Sequence, residues 1–135
     1  MTENPGQAEE FDPELLALWA KVFGFARSGA TAELAAYVDA GVSVNLTNDR
    51  GDTLVMLAAY HGHADTVAAL LERGADPNRE NDRGQSPLAG AVFKNEPEVV
   101  KALLKGGADV TAGEPSAIDA ARMFGNAELL ELLQG

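Results

Sequence analysis

Gly41, Gly74 and Gly107 recur at an interval of 33 residues, each closing the same kind of helix ending. Asn48–Glu80 laid over Asn81–Gly113 is identical at 12 of 33 positions. An even period of this length marks a stacked repeat protein. Each unit lends its apolar face to its neighbours, so four such units can bury a continuous core in a chain of 135 residues. The period constrains the architecture and leaves the partner open.

The units read as helix pairs. At Asp12-Pro13-Glu14 an N-cap acid, a proline at the first helical position and a first-turn acid start a helix. Leu15, Leu18, Trp19, Val22, Phe25 and Ala26 follow at helical spacing, and Gly29 ends the run. Trp19 is expected to seal the open end of the stack. A second helix carries Leu34, Tyr37 and Val38 at i, i+3, i+4; later units repeat this as Val67, Leu70, Leu71 and Val100, Leu103, Leu104, and the fourth offers Leu130 and Leu133. Val22, Val55, Leu88 and Ile118 anchor the first helices. Phe25 and the small residues Ala58, Ala91 and Ala121 stand beside these anchors. Tight turns fall near Gly29, Gly62, Asn95 and Gly125. Gly41, Gly74 and Gly107 can adopt the left-handed conformation that ends a helix without a Cβ penalty. Asn48-Asp49-Arg50-Gly51 and Asn81-Asp82-Arg83-Gly84 are turn-forming and are expected to project as hairpin-like tips along one edge.

These residues resemble the ankyrin repeat, in a small four-repeat form of bacterial type. Gly74-Ala75-Asp76-Pro77-Asn78 and Gly107-Ala108-Asp109-Val110 look like its inter-repeat loop, Gly62-His63 like its inter-helix turn, and Ser86-Pro87-Leu88 like its helix opening. The resemblance implies an all-α ankyrin repeat solenoid of stacked helix-turn-helix units with short hairpin-like loops. Its expected repeats span about 14–46, 47–79, 80–112 and 113–135, behind an acidic leader over 1–13. It also implies that the concave face and the tips bind another protein. Two departures stand out. The Thr-Pro-Leu-His opening becomes Thr53-Leu54-Val55-Met56 and Ser86-Pro87-Leu88-Ala89, so the family's Thr–His hydrogen bond is lost in both. The fourth unit reaches Ser116 from Thr111 in three fewer residues than the third uses between Asn78 and Ser86, a truncated tip that suits a cap.

Composition narrows the function. Twenty-one acids against 10 bases give a net charge of −11, and five of those acids with no base lie in the first fourteen residues. Such a surface repels nucleic acid and anionic membrane. It serves solubility, or it steers in a basic partner for which the leader itself is a candidate recognition element. The absence of cysteine excludes disulfides, thiolate metal sites and cysteine nucleophiles. The longest uncharged apolar run, residues 54–60, is far too short for a membrane span, and the N-terminus lacks the segments of a signal peptide, so a cytoplasmic location is expected.

No catalytic set emerges. Ser28, Ser43, Ser86 and Ser116 stand in turns or helix openings, where serine is a cap far more often than a nucleophile. Lys105-Gly106-Gly107 follows a helix instead of opening one, so it is no phosphate cradle. His61-Gly62-His63 with Asp65 invites a metal reading. His63, however, stands where the ankyrin pattern has its turn histidine, and three ligands of suitable geometry are normally needed. The expectation is no enzyme activity, no cofactor and no metal.

A surface remains. Just before each inter-helix turn, where the pattern is variable, stand Arg27-Ser28, Tyr60-His61, Phe93-Lys94 and Met123-Phe124. These pairs are expected to align across the concave face, with Tyr60 and Phe93 as central anchors, Met123 and Phe124 extending the patch, and His61 and Lys94 at its rim. Large aromatics in such places are typical recognition anchors. The alternative is that they pack against their neighbours. Asp49, Arg50, Asp52, Asp82, Arg83 and Gln85 at the tips are expected to tune orientation and encounter rate. The reading is a small adaptor or inhibitor of an unidentified protein, monomeric. A homodimer using the same stripe is the rival.

Overall fold

The computed structural model describes residues 12–135; the leader lies outside them except for Asp12 and Pro13. Pro13 is the first residue of helix α1 (Pro13–Ser28), and the Asp12 carboxylate accepts a hydrogen bond from the Glu14 amide at 2.8 Å. The described chain continues as α2 (Thr31–Asp39), α3 (Leu54–Tyr60), α4 (Ala64–Glu72), α5 (Pro87–Phe93), α6 (Pro97–Lys105), α7 (Ala117–Met123) and α8 (Ala127–Gln134). The odd-numbered helices form an inner row, α1 on α3 on α5 on α7, and the even-numbered helices an outer row behind it. The chain thus forms an all-α solenoid of four helix pairs.

The stacking core follows the expected register. Val22, Val55 and Leu88 are buried, as are Ala58, Ala91 and Ala121 where successive inner helices approach. Trp19 is 3% exposed and joins the core at the N-terminal end. Ile118 and Leu130 depart from expectation: both are only half-buried, because the last pair has a single neighbour among the described units. Leu129 takes up the buried role in α8, matching Val99 of α6 and Thr66 of α4. In α4, α6 and α8 the buried stripe is therefore one residue wider than i, i+3, i+4. At Thr66 the extra position is polar, and its hydroxyl is hydrogen-bonded to that of Thr31 at 2.6 Å.

Turn chemistry sets the joints. Gly41, Gly74 and Gly107 have φ of 118°, 91° and 91°, and Asn95 is the non-glycine residue with positive φ among the described residues, at 54°, matching the turn glycines of the other units. Helices α4 and α8 open with a side chain that reaches back to the turn of the preceding unit. His63 Nε2 donates to the Arg27 carbonyl at 2.7 Å, and Asn126 donates to the Asn95 side chain at 3.2 Å. A Cβ at Gly29 would lie 2.6 Å from His63 Nδ1, so that turn must be glycine for space as well as for conformation. His63 is thus a structural turn residue. Between units, the Asn45 and Asn78 side chains accept from the Asp76 and Asp109 amides at 2.9 and 2.7 Å, which tie each loop to the next one along the stack.

The tips are Asx-type turns. The Asn48 side-chain oxygen accepts from the Arg50 and Asp52 amides, and that of Asn81 from the Arg83 and Gln85 amides. The shared Asn and Gly therefore reflect the turn's own requirements, Gly51 and Gly84 having φ of 78° and 75°. Thr53, Ser86 and Ser116 cap α3, α5 and α7 by accepting the amides of Met56, Ala89 and Asp119 at 3.1, 3.1 and 3.2 Å, so the helix openings hold without the family histidine. Leu70 is 1% exposed between neighbouring units. Leu70→Ala is expected to lower stability by about 2–5 kcal/mol in denaturant unfolding; an unchanged midpoint would place Leu70 outside the core.

Candidate protein-binding surface

Six of the seven residues of α3, Leu54 to Ala59, are buried, and Tyr60 alone emerges, 39% exposed. Helix α5 repeats this: Pro87 to Val92 are buried and Phe93 is 62% exposed. In the last unit Met123 ends α7 and Phe124 caps it, at 70% and 55% exposure. Helices α3 and α5 are only two turns long, flanked by neighbours on both sides of the row, and they present their final residue to the concave face. Tyr60, Phe93, Met123 and Phe124 are the large apolar side chains that stand exposed among the described residues. The alternative of burial against neighbours does not hold for Phe93, Met123 or Phe124.

The exposed rings form one surface. Phe93 and Phe124 meet edge to face with centroids 5.5 Å apart, and Tyr60 packs its ring against His61 at 5.6 Å. Lys94 Nζ lies 4.8 Å from the Tyr60 ring centroid, a cation–π contact that holds the ammonium at the groove. Two adjoining depressions run along this face. The larger, about 460 Å³, is floored by Met56, Ala89, Gly90 and Ala120 and walled by Tyr60, Phe93, Met123 and Phe124. The smaller, about 270 Å³, is bounded by Arg27, Asn48, Arg50, Asp52 and His61. Met56, Tyr60, Arg83 and Gln85 border both, so the depressions form one groove.

Met56 and Ala89 were not among the candidate residues. The signal was present: they occupy the two positions where the ankyrin pattern carries the lost histidine, and the unbranched thioether and the methyl leave room for the groove floor. Pro115, from the truncated fourth tip, adds another wall.

Most tip residues reach solvent. Asp49, Arg50, Asp82 and Arg83 are exposed. Asp52 is a correction to the expected tip surface. It is 9% exposed, and its carboxylate accepts from the Asn81 amide group at 2.8 Å and from that of Asn48 at 3.4 Å, so it fastens one tip to the next. Gln85 is half-buried and its side-chain oxygen accepts from Asn81 at 2.9 Å, which leaves it a smaller part in any contact. Arg27 is exposed at the end of α1, level with Tyr60 and Phe93 of the following units.

His61 carries an electrostatic signature. Contact with its neighbours removes part of its water, and the positive charges of His63, Arg27 and Lys94 add to this, so its pKa falls below the ordinary 6.5. No cluster of three or more potential metal ligands occurs among the described residues.

A stack of helix pairs with a concave groove and an edge of projecting tips defines a repeat-built interaction scaffold. The chain belongs to the ankyrin repeat family: the pattern for ankyrin repeats, in three copies, matches residues 23–114. An ankyrin repeat protein of Pseudomonas aeruginosa is 45% identical over 67 residues, covering 50% of this chain and 38% of the relative. The chain therefore spans well under half that relative's length. Ankyrin repeats are generally non-enzymatic protein–protein interaction modules. No helix among the described residues is long and apolar enough to cross a membrane.

Two outcomes check this surface. Tyr60→Ala with Phe93→Ala removes exposed rings and is expected to shift unfolding by no more than about 1 kcal/mol; global unfolding of the double variant would make the rings core. Because folding lowers the His61 pKa, the unfolded chain binds the proton more tightly. The His61 contribution to stability is complete above 6.5 and is lost as pH falls from there through the lower folded-state value. Thermal melts of His61→Gln should show a flatter pH profile in that window than the parent, and a profile unchanged in slope would contradict the assignment.

Proposed function

We propose that this protein is a small cytoplasmic adaptor or inhibitor that holds one partner protein in the concave groove, with Tyr60 and Phe93 as anchors. Met123 and Phe124 extend the apolar contact, His61, Lys94 and Arg27 form its polar rim, and Asp49, Arg50, Asp82 and Arg83 meet the partner from the tips. The observation that carries this reading is that, among the described residues, the exposed large apolar side chains gather in one groove on an acidic molecule. A soluble monomer rarely leaves an aromatic cluster open to water without a use for it. The arrangement also suits recognition energetically: rings held on short, enclosed helices lose little freedom on binding, and hot-spot residues are enriched in such aromatics.

The groove lacks the parts of a reaction centre. Its polar groups are guanidinium, ammonium, amide, the Tyr60 phenol and one imidazole, and Asp52 is spent on the neighbouring tip. Nothing in it pairs a nucleophile with an oriented base.

The test is affinity capture from native lysate, run in parallel with the Tyr60→Ala/Phe93→Ala variant. A protein retained by the parent and lost by the folded variant is the expected result. Equal retention by both, or concentration-dependent dimerisation in sedimentation that the variant abolishes, would overturn the reading in favour of a different surface or a homodimer.

A further inference from the structure

Four of the 10 basic residues in this chain of net charge −11 converge on the groove. Arg27, Arg50 and Arg83 line its smaller depression, and Lys94 overhangs Tyr60 at the junction. None of the four makes an ion pair among the described residues. Elsewhere Arg73 pairs with Asp39 at 2.9 Å, Lys101 with Glu98 at 3.1 Å and Arg122 with Asp119 at 3.8 Å. The carboxylate that does line the groove, Asp52, is already taken by two side-chain amides. An acidic molecule thus carries a locally cationic groove whose positive groups have no ion-pair partner among the described residues, directly beside an apolar depression.

Building on the groove as the partner-binding surface, we propose that its ligand is a protein segment bearing carboxylates next to one or two bulky apolar side chains. The apolar side chains enter the depression between Phe93, Met123 and Phe124, and the acidic end lies over Arg27, Arg50 and Arg83. Planar guanidinium groups bind carboxylates in bidentate fashion, and three of the four cations are arginine. The dimensions suit a short segment. Four inner helices spaced about 8–10 Å apart make a groove about 30 Å long, which roughly nine or ten extended residues cross at about 3.3 Å each. The net charge of −11 does not forbid this. At physiological salt its field is screened beyond about 8 Å, so it slows the encounter of an acidic partner while the groove's own cations govern the contact. The same net charge disfavours nucleic acid, whose long run of phosphates would meet the acidic outer surface.

The test is selection of random peptides of about ten residues, displayed on phage, against the full chain. Tyr60→Ala/Phe93→Ala and Arg83→Glu/Lys94→Glu are selected in parallel, each first shown to be folded by its thermal melt. The parent is expected to enrich peptides rich in Asp and Glu with an aromatic or leucine nearby. Synthesised winners should bind the charge-reversed variant at least about tenfold more weakly and lose affinity as salt rises, while the charge-reversed variant selects peptides with Lys or Arg instead. Peptides that require Tyr60 and Phe93 but show no acidic excess, or that ignore the charge reversal, would overturn the proposed ligand chemistry and leave the groove standing as a binding surface. A selection that yields no peptide sensitive to Tyr60→Ala/Phe93→Ala would overturn both.

Discussion

Everything in this molecule depends on burial between neighbouring helix pairs. A seven-residue helix such as α3 or α5 is too short to persist alone in water. It exists because the units on either side cover it. Ala58, Ala91 and Ala121 keep the inner helices close enough for Val55 and Leu88 to lose all but a trace of contact with water. In α3 and α5 enclosure consumes every residue except the last, and that is why Tyr60 and Phe93 stand where they do. The stack and the groove are two consequences of the same packing.

Polar groups supply the register that apolar packing lacks. The Asn45–Asp76 and Asn78–Asp109 contacts repeat along the inter-repeat loops, while Asp52 and Asn81 join the tips. Fixing the tips in this way fixes Arg50 and Arg83 on the groove edge. Among the described residues, Asp52 is the acid that lines the groove, and the others lie outside its lining. Charge and apolarity are therefore separated by face: a solubilising exterior, and a concave side with exposed rings beside unpaired cations. Long-range and contact electrostatics consequently carry opposite signs here.

Local chemistry made much of this legible in the sequence. The glycine period, the Asp12-Pro13-Glu14 start and the Asn-Asp-Arg-Gly turns each act within a few residues, so the helix pairs could be read directly. Tyr60, Phe93, Met123 and Phe124 could be singled out because they fill positions the repeat leaves variable, and all four are exposed. What escaped depends on neighbours distant in sequence. Asp52 looks like a free tip acid until Asn81 of the next unit is placed beside it. Ile118 and Leu130 look like core until their helix pair is seen to have one neighbour among the described units. Met56 and Ala89 read as a missing histidine, and their place on the groove floor becomes visible only when α3, α5 and α7 are laid side by side. The convergence of Arg27, Arg50, Arg83 and Lys94 is likewise a property of the stack, since these residues come from three different units.

The central claim is that the concave groove is the binding surface. It is tested most directly by NMR of isotopically labelled protein titrated with the captured partner or a selected peptide. The account predicts that chemical-shift changes concentrate at Met56, Tyr60, His61, Ala89, Phe93, Lys94, Met123 and Phe124, with the outer helices α4 and α6 unchanged. Shifts centred on those outer helices, with the groove residues silent, would contradict it.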